Sequence, residues 1–396
     1  MIYDYAIIGG GIVGLATAMH ILETQKDSTI VIFEKEDQCA KHQTSHNSGV
    51  IHAGIYYEPG SLKAKLCREG LEATKAFCDK YKIPYKVCGK LIVATNPLEE
   101  KRIDALFERA KANGLKLKKI DNKTLRKIEP NIKGTKALLS AETGMVDYQK
   151  MAIKMAEVIK NKGATIKLNL SINRISEKFD LVELGNNNST WQAKKLIVCG
   201  GLQADRLAKI AGMKVDFKII PFRGEYFRLP NSKKSIVKHH IYPAPDPALP
   251  FLGIHLTKMI DGSVTVGPNA VIGFSREGYP KLSMNFRDIS SYITFPGFWK
   301  LLWEYRFHAI YELKGSLIKR SYLKSCQKYC PNLTIDDLLP YRAGIRAQLV
   351  TREGKIVHDF LFCQTARMLH VINAPSPAAT SAIPIGRIIA EKSKSN

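Results

Sequence analysis

Between Tyr5 and Leu22 the chain carries no Asp, Glu, Lys or Arg: the apolar run Tyr5-Ala-Ile-Ile meets Gly9-Gly-Gly11-Ile-Val-Gly14 and continues through mostly small and apolar residues to Leu22. An apolar run ended by glycine reads as a buried strand, and the amphipathic stretch behind it as a helix. A second strand-like run, Thr29-Ile-Val-Ile-Phe33, ends in Glu34. Leu62, Leu66, Ala73, Phe77 and Tyr81 recur near helical spacing behind Ser61, which predicts a capped helix from Ser61 to Tyr81. Lys90-Leu-Ile-Val-Ala-Thr95 is strand-like, and Asn96-Pro97 opens a helix through Ala112 that Gly114 closes. The next helix runs from Asp147 to Lys162 and ends at Gly163. After it come strands, with Asn186-Asn187-Asn188 as a turn and Lys195 to Gly201 as a buried strand with a glycine turn. The pattern from Ile219 to Val271 is β-like and broken by prolines, whereas Phe286 to Tyr329 is helical and aromatic. Leu369 to Asn373 returns to strand, and Ala378 to Lys392 to helix.

Gly9, Gly11 and Gly14 have the G-x-G-x-x-G spacing between strand and helix, and Glu34 stands 34 − 14 = 20 residues beyond the last glycine. Strand, glycines, helix, second strand and terminal acid together form a dinucleotide-binding fingerprint. The glycines allow backbone to approach a pyrophosphate on the positive end of the helix, and the acid accepts hydrogen bonds from ribose hydroxyls. An acid there disfavours a 2′-phosphate, so FAD or NAD is expected and NADP is not. The charge-free run has no basic leader and a glycine-rich middle, which argues against a signal peptide or a membrane span.

The chain has 396 residues, enough for two domains. A nucleotide-binding start and end around strand-rich insertions predicts a discontinuous cofactor domain and an inserted substrate domain. Eight cysteines are scattered without Cys-x-x-Cys pairs, which predicts free thiols in a reducing compartment. The formal net charge of +24 attracts polyanions such as nucleic acid, an anionic membrane surface or an acidic substrate. Its lysines are spread along the chain without a basic tail, as on a generally solvated basic surface.

Six stretches carry a specific resemblance. They are Lys41-His-Gln-Thr-Ser-His46-Asn-Ser-Gly-Val-Ile-His52-Ala-Gly-Ile-Tyr56-Tyr57, Pro221-Phe-Arg223-Gly-Glu-Tyr226, Tyr242-Pro-Ala-Pro-Asp246, Val266-Gly-Pro-Asn269, Arg342-Ala-Gly-Ile-Arg346-Ala-Gln348 and Asn373-Ala-Pro-Ser376-Pro-Ala-Ala-Thr380-Ser. Together they resemble the L-2-hydroxyglutarate oxidase/dehydrogenase family, within the FAD-dependent amino-acid-oxidase-like superfamily. The likeness runs from Met1 to about Glu391, with Cys199 where many relatives in the wider superfamily carry Ala or Thr. The resemblance implies an α/β fold: a Rossmann-type FAD-binding domain over residues 1–85, 145–217 and 338–396, and an antiparallel-sheet substrate domain over 86–144 and 218–337. It also implies FAD as cofactor, and electrons passed to oxygen or to a membrane quinone. The expected place is the cytoplasm, with peripheral attachment to the cytoplasmic face of the inner membrane as an option. The cofactor set is Gly9, Gly11, Ile12, Val13, Gly14, Glu34 and Lys35 at the start, Ser45, His46, Asn47, Ser48 and Gly49 in the polar run, then Gly200, Gly344, Pro375, Ser376, Pro377, Ala378 and Thr380.

Oxidising a secondary alcohol requires a base for the hydroxyl proton, and His52, in its polar run, is the first candidate, with a hydrogen bond to the cofactor as its other reading. A five-carbon dicarboxylate requires cationic or donor groups at both ends. Arg346 is placed for one carboxylate because its planar fork holds it bidentately. Arg223 is a candidate for the second carboxylate or for an ion pair joining the domains. Tyr57 and His255 are further donors, and His255 alternates with apolar residues in Phe251-Leu-Gly-Ile-His255-Leu as a core histidine would. Pro375 and Pro377 break the preceding strand, so the amides of the last helix are expected to face a flavin's pyrimidine edge.

The same scaffold would serve a flavin oxidase of another small hydroxy or amino acid. The charge also suits a tRNA-modifying flavoprotein, which would need a basic, aromatic-bearing face dedicated to RNA, and nucleic acid is not the expected partner. A non-catalytic membrane adaptor is the third class. From Phe295 to Lys328 the sequence sets Trp299 and Trp303 beside a basic run, which is either a membrane-docking segment or core packing against the substrate domain.

Overall fold

The structure, a computed structural model, describes residues 1–249 and 252–394, so Phe251 and the last two residues lie outside the described residues. The first strand, Ile2–Ile8, pairs in parallel with Ile30–Phe33 on one side and Thr190–Val198 on the other, with Ile7 opposite Ile32 and Ile197. Thr165–Lys167 and Met368–Asn373 extend the parallel core. Arg174–Glu177, Val182–Gly185 and Leu361–Gln364 add antiparallel edges, giving eight strands. A parallel sheet must be covered on both faces, and the alternation of side chains does this. Tyr5, Ile7, Ile30 and Ile32 join the core beneath helices Ile12–Thr24, Tyr148–Asn161 and Ala382–Lys394. Ala6, Ile8, Val31 and Phe33 meet Ile172, Ile175, Val182 and Leu184 on the other face.

A second eight-stranded sheet runs in the order Leu339–Pro340, Phe227–Arg228, Val264–Gly267, His255–Lys258, His240–Pro243, Lys90–Ala94, Lys136–Ser140 and Leu117–Asp121. The sequence predicts an antiparallel substrate sheet, and all its pairings are antiparallel except one. His240–Pro243 lies parallel to Lys90–Ala94, joining two halves contributed by distant segments. A third, ribbon-like sheet pairs Phe217–Gly224 with Gly344–Thr351, setting Phe222 opposite Arg346. Leu339–Pro340 and Gly344–Thr351 thus pair with strands of the inserted region.

The helix starts obey their caps. The Ser61 hydroxyl accepts the Ala64 amide at 3.2 Å, Asn96 accepts Glu99 at 3.0 Å, and Asp147 accepts Gln149 at 3.0 Å. One boundary differs from the sequence reading. The last helix is Ala382–Lys394, and residues 376–381 form turns in which the Ala378 amide donates to Pro375 and that of Ser381 to Pro377. Two prolines delay the helix by four residues, so its N-terminal amides are not the ones beside Ser376 and Pro377. All eight cysteines are free.

Four helices, Phe286–Ile293, Pro296–Glu304, Arg306–Leu317 and Lys319–Gln327, form the helical excursion. It is fastened to the cofactor side by a buried charge network. The Arg276 guanidinium, fully buried, donates to both oxygens of Asp205 and to the Leu202 carbonyl, while its backbone amide donates to Asp288 at 2.8 Å. Breaking a buried pair from one side leaves an uncompensated charge and costs about 3–5 kcal/mol. Asp205→Ala is therefore expected to lower the unfolding midpoint sharply in denaturant titrations. The Asp205→Ala/Arg276→Met double variant should recover most of that loss; equal losses would mean that the charges are not coupled.

Candidate active site

The glycine turn after Ile2–Ile8 is held by backbone contact. A Cβ on Gly14 would stand 2.2 Å from the Gly9 carbonyl oxygen, and one on Gly9, at φ +109°, would stand 2.4 Å from that of Cys199. A Cβ on Gly11, by contrast, would meet only the Thr44 hydroxyl at 3.5 Å and would project into open space. That space is a cavity of about 490 Å³ lined by Gly9, Gly11, Ile12, Val13, Gly14, Glu34, Lys35 and Gly200, among others. The helix start there has no side-chain cap and no acid in its first turn. Thr44 accepts the Ile12 amide at 3.1 Å. Such a start, with its positive end open to the cavity, fits a pyrophosphate. Glu34 holds the turn as well as facing the cavity: it accepts the Gly10 amide at 2.8 Å and the Glu36 amide at 3.0 Å. At the rim the Lys35 ammonium fills the spot onto which Glu36, Glu277 and His42 converge, at 2.8, 2.7 and 2.9 Å, and it holds the Glu36 carboxyl down to about 2.

The smaller cavity runs into a larger one of about 810 Å³, both bordered by Gln43, Ala347, Ala374, Ala378 and Ala379. His46, Asn47, Ser48, His52, Tyr57, His255, Gly344, Arg346, Pro375, Ser376, Pro377, Ala378 and Thr380 all line it. His46 stacks on Tyr279 at 3.6 Å. Thr380 braces the segment, accepting the His52 amide at 3.2 Å and sharing a hydrogen bond with the Tyr148 hydroxyl at 2.8 Å.

Three sequence candidates stand outside both linings. The Ser45 hydroxyl turns back to the carbonyls of Lys41 and His42, and Gly49 supports its loop by accepting the Val146 amide at 2.8 Å. Arg223 is committed elsewhere: it donates to the Tyr279 carbonyl at 2.7 Å, and its Nε lies 3.7 Å from Glu225. This corrects its placement at a substrate carboxylate. Its strand faces the loop at 278–280.

Burial decides the protonation states in the larger cavity. It pushes the His52 imidazole well below its ordinary value, helped by Lys90, and pushes His255 and His240 down to about 3. His255 Nδ1 sits 3.0 Å from the Gly253 carbonyl, so Nδ1 carries the proton there and Nε2 is left as acceptor. Burial lowers Lys63 to about 8 and moves Arg346 downward from a value so high that it keeps its charge. Arg346 Nη1 lies 3.4 Å from the Asn269 carbonyl, and Lys63 Nζ lies 3.2 Å from that of His358. The rim cations Arg102 and Arg109 are paired with Asp246 at 2.8 Å and Glu58 at 3.7 Å. The arrangement sets two neutral imidazoles in one cavity with half-buried cations, a setting for an anionic substrate and proton removal.

Lys63, Tyr56, Tyr226, Tyr242 and Thr44 escaped the sequence reading although the structure brings them to the cavities or the turn. Tyr242 lies inside a motif already singled out and carries a signal, whereas Lys63 sits on a helix with many other lysines and carries none.

The DAO family of FAD-dependent oxidoreductases matches residues 4–392. The chain is 50% identical over 391 residues to an L-2-hydroxyglutarate dehydrogenase of Escherichia coli, covering 98% of this chain and 93% of that protein. A mitochondrial L-2-hydroxyglutarate dehydrogenase of Nematostella vectensis is 43% identical over 98% of this chain and 90% of its own. Among solved structures, a dithionite-reduced L-α-glycerophosphate oxidase of Mycoplasma pneumoniae with FAD bound superposes with a TM-score of 0.82 at 23% identity, over 100% of this chain and 95% of that one. This last likeness bears on the fold.

The open space at Gly11 yields a prediction. Gly11→Val should fold, since its Cβ meets nothing tighter than 3.5 Å, but should purify without flavin because the side chain fills the pyrophosphate approach. Retention of stoichiometric flavin, read from its absorption, would refute this placement.

Proposed function

The chain belongs to the FAD-dependent oxidoreductase family, and we propose that its larger cavity oxidises L-2-hydroxyglutarate to 2-oxoglutarate. The observation that carries this reading is the company of His52 and His255, both neutral, with the half-buried cations Arg346 and Lys63 in a cavity continuous with the dinucleotide cradle. Near-full-length similarity to proteins named for that substrate supports it. FAD, held by the glycine turn, Glu34 and the 375–380 segment, supplies the two-electron acceptor.

The rest is done by side chains. The Arg346 fork grips one carboxylate, and Lys63 takes the other, a role for which Arg223 is wrongly placed. His52 carries no hydrogen bond on its ring among the described residues, so its lone pair is open to the substrate hydroxyl, and it removes that proton. Protonating it beside Lys90 and Lys63 is costly, and the two incoming carboxylates offset that cost by their own charge. The cavity walls, Tyr56, Tyr57 and Tyr242, keep water from competing.

Anaerobic mixing with L-2-hydroxyglutarate should bleach the flavin, and absence of bleaching would overturn the reading. His52→Ala should keep FAD and slow bleaching on the order of 10²-fold or more. Because burial disfavours imidazolium, loss of the base by protonation should begin only below about pH 6.5, and the rate should also fall as pH rises through about 8, where Lys63 gives up the proton with which it holds a carboxylate. An unchanged rate in the variant would move the base to His255.

The electrons leave to an acceptor at an anionic membrane surface. Among the described residues no helix is long and apolar enough to cross a membrane. The helical excursion, however, leaves Trp299 55%, Trp303 72% and Phe307 74% exposed, so the tryptophans do not pack as core. Phe298 and Leu301 face inward instead. Arg306–Leu317 has no buried residue, with Ile310, Leu313 and Leu317 also exposed, and Lys300, Lys314, Lys319 and Arg320 are on the solvent side. Aromatic residues at a headgroup boundary, flanked by basic residues worth about 1 kcal/mol each, support peripheral docking. Co-sedimentation with vesicles should rise with anionic lipid, fall with salt, and drop for Trp303→Ser/Phe307→Ser. Equal recovery in the supernatant with neutral and anionic vesicles at low salt would exclude it and point to oxygen as acceptor.

A further inference from the structure

Lys90 opens the strand Lys90–Ala94, and the strand's alternation puts it on the face of Ile92 and Ala94, inside the molecule and 1% exposed. Its ammonium lies 4.7 Å from the centre of the Tyr56 ring and 4.8 Å from that of Tyr242, and both rings wall the larger cavity. Among the described residues no carboxylate pairs with Lys90 and no acceptor holds its ammonium. The Tyr56 hydroxyl beside it is also buried without a partner. The titratable groups facing Lys90 come from four elements: Cys67, His52 and Tyr56, His240 and Tyr242, and His255. Burial keeps the thiol and phenols protonated and the imidazoles neutral, so none of them supplies negative charge. Burial also lowers Lys90 itself to about 7, so it holds its proton loosely until an anion comes near. Two π faces offset part of the desolvation of an ammonium, but a buried cation is fully compensated only by an anion. The cavity on the far side of those rings is where an anion arrives.

We propose that Lys90 is a specificity-determining residue that selects a doubly charged substrate, acting through its field across the Tyr56 and Tyr242 rings rather than by contact. Because Lys90 is buried and only the two rings stand between it and the cavity, little solvent intervenes to screen its charge, and a fixed charge several ångströms away then discriminates between a dianion and a monoanion. This rests on the dicarboxylate reading above.

The test uses flavin-loaded wild type, Lys90→Met and Lys90→Arg at pH 6.5. Each is titrated with glutarate, which has two carboxylates and no hydroxyl to oxidise, and with its monomethyl ester, following the shift in flavin absorption. In Lys90→Met the dissociation constant for glutarate should rise tenfold or more while that for the ester changes less than threefold. Lys90→Arg should restore the preference for glutarate. The thermal midpoint of Lys90→Met should hold or rise, because an unpaired buried charge has gone. A parallel change for both ligands, no change for either, or a lowered midpoint with loss of flavin would overturn the proposal and mark a structural lysine. A wild type that does not favour glutarate over the ester would instead overturn the dicarboxylate reading.

Discussion

The Glu34 carboxylate joins the two strands on which the cofactor half depends. One oxygen accepts the Gly10 amide and the other the Glu36 amide, so the turn after Ile2–Ile8 is tied to the exit of Ile30–Phe33. The glycine turn has no slack of its own, since Cβ positions at Gly9 and Gly14 run into backbone oxygen. The helix beginning at Ile12 is thereby fixed, and Ala382–Lys394 packs directly on it. The segment just before that last helix borders both cavities, and Thr380 within it receives the His52 amide. A carboxylate usually read as a ribose contact thus also sets, through packed backbone, where the imidazole stands.

The energetics beside the larger cavity turn on Lys90, with which no carboxylate pairs among the described residues. Exposed rim pairs such as Arg109 with Glu58 contribute about 0–1 kcal/mol and do little to define the site. Around it, burial moves the basic groups toward neutrality, His52, His240 and His255 down and Lys63 and Lys90 down, while it raises the phenols of Tyr56, Tyr57 and Tyr242 and keeps them protonated. A nearby anion favours the charged form of such buried basic groups. The neutrality of His52 and the lowered values of Lys63 and Lys90 share one cause, burial.

The cofactor cradle was legible because its signal is local: a glycine triplet, a helix and an acid at fixed spacing constrain one turn, whatever the rest of the chain does. Cap residues at Ser61, Asn96 and Asp147 were legible for the same reason. The line of the last helix was misread because periodicity continues through Ala378–Ser381, while two prolines impose turns there first. Arg223 and Lys63 show the limit more sharply. Which of two cations reaches the cavity is decided by strand register and by the loop at 278–280, neither of which sequence spacing encodes. Lys90 offered a visible anomaly, a lysine leading a run of core residues, but whether it snorkels to solvent or is enclosed depends on Tyr56 and Tyr242, distant in the chain.

The exposed helices and Arg346 are joined through the ribbon. Phe298 and Leu301 pack on Ile220 and Val350 of the ribbon, and Arg346 stands on that same strand four residues before Val350, on the same face. From the neighbouring helix, Glu312 accepts the Ala270 amide at 2.7 Å, and the adjacent Asn269 carbonyl faces Arg346. Glu312, with its carboxyl raised by burial, is the link between an outward apolar surface and the loop that meets Arg346. A helix of twelve residues with none buried gains little from propensity alone, so its position relies on such polar ties and on whatever covers its apolar side. Covering that side would firm the helix, and through Glu312 the loop at 269–270, which makes order at the surface and order at Arg346 the same conformational variable.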